Sequence, residues 1–87
     1  MAYSLKISQF ARKQIYKVCK RDSHLCEEVH KKISALLLNP DSGKPLRKSM
    51  KGKRRVHVGS YVLVYEINQA DRIVLLLTFC HHDYAYE

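Results

Sequence analysis

Acidic side chains are missing from two long stretches of this 87-residue chain. None lies between Asp41 and Glu66, an interval that holds Lys44, Arg47, Lys48, Lys51, Lys53, Arg54 and Arg55. None precedes Asp22 either, although Lys6, Arg12, Lys13, Lys17, Lys20 and Arg21 do, and the net charge is +8. Cation-only segments attract polyanions and gain affinity by releasing counterions from phosphates. The expected partner is therefore nucleic acid or an acidic protein segment rather than bulk solvent alone. Glycine is also sparse. Gly43, Gly52 and Gly59 are spread over 17 residues, which gives no phosphate-cradling loop, and there is no Gly-x-Ser-x-Gly elbow. No apolar run approaches the roughly 18 residues of a membrane span. The three cysteines, Cys19, Cys26 and Cys80, are an odd number without metal-like spacing, and Lys6 and Arg12 interrupt the opening residues where a signal peptide would be apolar. A reduced, soluble, cytoplasmic protein is the expectation. No repeat, linker or low-complexity segment divides residues 1–87, which read as one small domain with 46% apolar residues to build its core.

The apolar residues fall in two periods. Tyr3 to Ile7 alternates as a short strand. Ser8 is placed to cap a helix whose stripe is Phe10, Ala11, Ile15, Val18 and Cys19. A second helix is expected from Asp22 or Ser23, with Leu25, Val29, Ile33, Leu36 and Leu37 on its apolar face, and Asn39-Pro40 stops it. A basic loop, Asp41 to Gly52, leads to three strands. In Lys53 to Val58 cations alternate with valines, so Lys53, Arg55 and His57 share one face and Val56 and Val58 the other. Gly59-Ser60 suits a two-residue hairpin turn, Tyr61 to Ile67 is the next strand, and Asn68 to Asp71 turns into Ile73 to Phe79, apolar on both faces as an interior strand is. The fold class is α+β, in the order β-α-α-β-β-β, with two helices on one face of a small, mostly antiparallel four-stranded sheet.

Proton-transfer chemistry has several candidates. Imidazole titrates near neutrality and can both take and give a proton. His24 and His30 fall on the second helix, away from the basic loop, and read as surface residues. His57, His81 and His82 sit on or just after strands, with His57 beside Lys53 and Arg55. Strand alternation should separate His81 from His82, so that at most one of them reaches the same cleft. The same alternation argues against a metal site in Cys80-His81-His82-Asp83, and no metal or cofactor is expected. Tyr61 and Tyr65 share a face, either as core residues with hydroxyls at the rim or as platforms for bases. If RNA is cut, a base must take the 2′-hydroxyl proton, cations must stabilise the charged phosphorane, and an acid must protonate the departing 5′-oxygen. His82, His57 or Tyr86 could move protons, and Arg55, Arg54 and Lys53 suit the charge.

Val58-Gly59-Ser60-Tyr61, Tyr61-Val62-Leu63-Val64-Tyr65, Lys44-Pro45-Leu46 and the His82-to-Tyr86 tail together resemble the RelE/ParE toxin superfamily over nearly the whole chain. That resemblance implies a RelE-like toxin: a ribosome-dependent mRNA endonuclease that inhibits translation and is neutralised by a small RelB-like antitoxin. It implies no membrane partner and no small-molecule substrate. Matched position by position, it implies catalytic roles for Arg55, His57, His82 and Tyr86, and the cations of the acid-free stretch, Lys44, Arg47, Lys48, Lys51, Lys53 and Arg54, are the candidates for holding RNA phosphates. One position departs: where the family usually carries an arginine after the first tyrosine of the hairpin, this chain has Val62. A ParE-like member that binds a protein target such as a topoisomerase, or a general RNA-binding domain, are the other readings.

Overall fold

A computed structural model describes residues 2–47 and 52–84. Strand β1 (Ser4–Ile7) leads into helix α1 (Gln9–Arg21) and helix α2 (Ser23–Leu38). A 3-10 turn at Pro40–Ser42 precedes β2 (Lys44–Pro45), β3 (Lys53–Val58), β4 (Tyr61–Asn68) and β5 (Ile73–His81), and a second 3-10 turn spans His82–Tyr84. The α+β class holds, but the sheet has five strands in the order β1-β5-β4-β3-β2. The fifth is β2, two residues from the segment expected to be loop, which pairs Lys44 with Arg55 and Pro45 with Arg54. Period-2 patterning cannot signal a strand of two residues. β1 runs parallel to β5, and the remaining pairs are antiparallel.

Local chemistry sets the ends of the elements. The Ser8 hydroxyl accepts from the Ala11 N–H at 3.1 Å and donates to the Leu77 carbonyl at 2.7 Å. One side chain thus caps α1 and ties it to the sheet, and a cap of this kind is worth about 1 kcal/mol. Leu77 is the extra residue of a bulge: pairing steps from Val64–Thr78 to Tyr65–Leu76, which leaves the Leu77 carbonyl for Ser8. Asp22 caps α2 through the Leu25 N–H at 3.0 Å. Gly59 turns at φ +61, the positive angle that a type II′ hairpin asks of its first turn residue.

The helices cover one face of the sheet. Ala11, Val18, Val29, Ile33 and Leu36 pack there against Val58, Leu63, Tyr65, Val74, Leu76 and Phe79. Phe10, expected on the buried stripe, is instead more than half exposed. It falls a full residue off the Ala11–Val18 line, where a helix turns by about 100°. The cysteines also depart from expectation, since Cys19 and Cys26 form a disulfide between α1 and α2 and leave Cys80 as the free thiol. A seven-residue separation crossing a tight helix–helix corner brings the two side chains together, which counting to an odd total does not reveal. No helix among the described residues is long and apolar enough to cross a membrane.

Candidate functional site

Strand alternation gives the sheet two chemically different faces. On the face turned from the helices, β-pairing lines up Lys44, Arg55, Val64 and Thr78 in one row and His57, Val62 and Cys80 in the next. Val62 and Val64 are fully buried here, outside the helix-side core. Lys53 lies opposite Glu66 in the β-ladder. Lys44 lies opposite Arg55, which sets two cations side by side across a strand pair, a local concentration of positive charge suited to an anion. Arg55 is half-buried and His57 exposed, so a low-lying guanidinium shares the strand face with an accessible imidazole.

The other end of the site lies at the β3–β4 turn. The His82 N–H donates to the Ser60 carbonyl at 2.9 Å. His82 Nδ1 is 3.1 Å from the same oxygen, and since a carbonyl can only accept, this nitrogen carries the proton. Nε2 is thereby left facing Asp83 Oδ1 at 3.1 Å. A carboxylate on one side and a carbonyl on the other hold the ring's orientation. His57 is three residues before Ser60 on the same hairpin, so both imidazoles belong to its turn end.

His81 and His82 do not diverge as expected. Regular strand ends at His81, and the 3-10 turn that follows brings the two rings to a 4.6 Å centroid separation. Both rings approach Asp83, His81 Nδ1 lying 3.3 Å from Oδ2. Alternation governs neighbours only while the backbone remains extended. Asp83, set aside by the alternation argument, is thereby brought against both rings. The run His81-His82-Asp83 carried the signal, legible only if a turn is assumed there.

Arg54 also falls elsewhere. Its guanidinium donates to the Gly43 carbonyl at 2.8 Å and the Asp41 carbonyl at 3.2 Å, and it pairs with the Asp41 carboxylate at 3.6 Å. It lies on the opposite face of β3 from Arg55 and His57, holding the segment before β2. Tyr65 works with it. Its hydroxyl, expected at a rim, is buried, donates to the Pro40 carbonyl at 2.6 Å and accepts from the Gly43 N–H at 3.0 Å. Burial raises the Tyr65 pKa above the usual phenol value, opposed by the Gly43 hydrogen bond and the Arg54 charge. Burial likewise raises the Cys80 thiol. Arg47 is exposed. Lys48, Lys51 and Tyr86 lie outside the described residues.

A second basic surface adjoins the turn end. Tyr61 stacks on Phe79 with centroids 4.9 Å apart and meets the His81 ring edge-on at 5.7 Å. Beside it is a groove of about 390 Å³ lined by Gln14, Lys17, Val18, Lys20, Arg21 and Tyr61. The fold thus brings the cations of the C-terminal half of α1 to Tyr61, which in turn meets His81, a juxtaposition of residues some 60 positions apart in sequence that no local pattern records.

Comparison with known proteins gives a consistent picture. The family described as ParE toxin of type II toxin–antitoxin systems, parDE, matches residues 5–86. The toxin candidate RelE4 of Methanocaldococcus jannaschii is 31% identical over 98% of this chain and 92% of its own length. Among solved structures, the toxin–antitoxin complex RelBE2 of Mycobacterium tuberculosis superposes with a TM-score of 0.80 at 25% identity, over 94% of this chain and 100% of that one. The YoeB/ParE toxin of Agrobacterium tumefaciens gives 0.84 at 15% identity, over 91% and 98%, a likeness of fold alone.

Proposed function

This chain belongs to the ParE toxin family of type II toxin–antitoxin systems, within the RelE/ParE superfamily, and from that premise we propose that it is a RelE-like endoribonuclease cutting mRNA on the ribosome. The observation that carries the reading is the imidazole of His82, held between the Ser60 carbonyl and Asp83 at the end of the hairpin that bears Arg55 and His57. An oriented imidazole is suited to handing a proton to a departing 5′-oxygen. His57, exposed and next in line on β3, takes the 2′-hydroxyl proton, and that oxygen then attacks its own phosphorus. Arg55, with Lys44 opposite it, stabilises the charge gathering on the phosphate oxygens. Because Val62 occupies the position of the usual arginine, this charge falls to Arg55 and Lys44, which lie one row away. Tyr86 adds a third proton-transfer group.

The groove lined by Lys17, Lys20 and Arg21 extends the cationic surface along which RNA is held. An antitoxin partner follows from the relatives, since the M. tuberculosis neighbour is a toxin–antitoxin complex. A RelB-like chain with acidic side chains would meet the cationic surface around Lys44 and Arg55 in place of RNA.

The reading is tested by primer extension on a message under translation, with the wild-type protein and with His82→Ala. Cuts that require ribosomes and fall at least tenfold in His82→Ala are expected. An absence of cuts with active ribosomes would overturn it in favour of a ParE-like protein target. Full cutting by a normally folded His82→Ala variant would remove His82 from the mechanism.

A further inference from the structure

The chemistry of the His81–His82–Asp83 turn is not exhausted by proton transfer. One ligand atom from each of these residues lies within 4.8 Å of the other two. His82 Nδ1 lies against the Ser60 carbonyl, and Nε2 lies 3.1 Å from Asp83 Oδ1. His81 Nδ1 accepts from the Asp83 N–H at 3.3 Å and lies 3.3 Å from Asp83 Oδ2. Each imidazole thus turns a ring nitrogen toward the carboxylate, in the position where a shared cation would be held.

The spacing comes near what a metal ion needs. Bonds of 2.0–2.2 Å from zinc to imidazole nitrogen and carboxylate oxygen, opened between a right angle and the tetrahedral angle, set neighbouring donors about 2.9–3.4 Å apart. The nitrogen–oxygen separations here, each to a different oxygen of Asp83, are 3.1 and 3.3 Å, and the donor set spreads to 4.8 Å, so the side chains must draw in around the ion to close the site. The Ser60 carbonyl on the far nitrogen of His82 is the outer partner that metal-bound histidines have. All three side chains are exposed by a third or more, so an ion and its remaining waters can reach them. Two imidazoles with a single carboxylate favour a borderline ion such as Zn²⁺ over Mg²⁺ or Ca²⁺, which need more oxygen ligands.

We propose that His81, His82 and Asp83 form a Zn²⁺-class binding site whose occupation withdraws His82 from proton transfer and so silences the toxin. Each residue gives a lone pair to the ion, any proton on Nε2 leaves to solvent, and the Asp83 N–H contact with His81 is given up. The inhibitory part rests on the ribonuclease reading, whereas binding does not.

Calorimetric titration of the full chain with ZnCl₂ or MgCl₂ decides the site. One equivalent of Zn²⁺ should bind and Mg²⁺ should not. His81→Ala and Asp83→Asn should each weaken Zn²⁺ roughly tenfold or more, while His24→Ala on α2 leaves it unchanged. No Zn²⁺ binding by the wild-type chain, or wild-type affinity in both turn variants with normal circular dichroism, would overturn the proposal. In the ribosome assay Zn²⁺ should stop wild-type cutting at concentrations that His81→Ala tolerates, and equal inhibition of both proteins would refute the regulatory role. Failure of the ribonuclease reading would show as no cutting even without zinc, with the calorimetric result standing apart.

Discussion

Replacing Tyr65 with phenylalanine removes one oxygen atom and orphans two buried backbone groups. The Pro40 carbonyl loses its 2.6 Å donor and the Gly43 N–H loses its 3.0 Å acceptor. Pro40, Gly43 and Tyr65 are all buried, so water cannot step in without the segment opening. Each buried group left unsatisfied costs about 1–3 kcal/mol, so the pair should cost roughly 2–4 kcal/mol, allowing for partial relaxation. In a domain of this size about 1 kcal/mol moves the melting temperature by about 4–8 °C, and a shift of ten degrees or more is expected. Urea denaturation monitored by circular dichroism reads the change as a midpoint shift at constant slope. Tyr3→Phe is the control, because its hydroxyl meets Gln69 at an exposed 3.4 Å contact and should change stability by less than about 0.5 kcal/mol. A Tyr65→Phe loss no larger than the control would show that the hydroxyl does not pin the segment before β2. Gly43→Ala should fail by the opposite route, since a Cβ there would overlap the Tyr65 ring and hydroxyl.

Arg54→Ala should destabilise by about 1–3 kcal/mol, through the Gly43 carbonyl it satisfies, and leave the salt dependence of RNA association intact; Arg55→Ala should do the reverse, lowering the salt slope by about one in a filter-binding series. Opening the Cys19–Cys26 disulfide with reductant should cost about 2–3 kcal/mol for a loop of this length, read as a lower melting temperature that Cys19→Ser reproduces. Alkali should destabilise the fold in two stages. Burial raises both Cys80 and Tyr65, so the unfolded chain releases these protons first. Their contribution is whole below about pH 8.5 for the thiol and about pH 10 for the phenol, and is lost as pH rises from each value through the folded-state one. Cys80→Ala should abolish the earlier decline in a pH series of denaturation midpoints, and an unchanged early decline would assign it elsewhere.

The sequence by itself determined every α-helix and every strand but β2, and the family. Alternating valines and cations in Lys53–Val58, the Ser8 and Asp22 caps, the Asn39-Pro40 stop and the Gly59 turn are local signals, each carried by neighbours in the chain, and each has its counterpart in the structure. Alternation also separated Arg55 and His57 from the core face. Tertiary structure alone decided four things. It recruited Lys44 and Pro45 as an edge strand, and set Arg54 to hold the Asp41–Gly43 segment rather than to share Arg55's face. It also joined Cys19 to Cys26 and bent His81, His82 and Asp83 into one cluster. All four depend on where a chain that has left regular geometry happens to return. Periodicity describes side-chain direction only within a helix or strand, so contacts made at its ends and across its turns are fixed by packing.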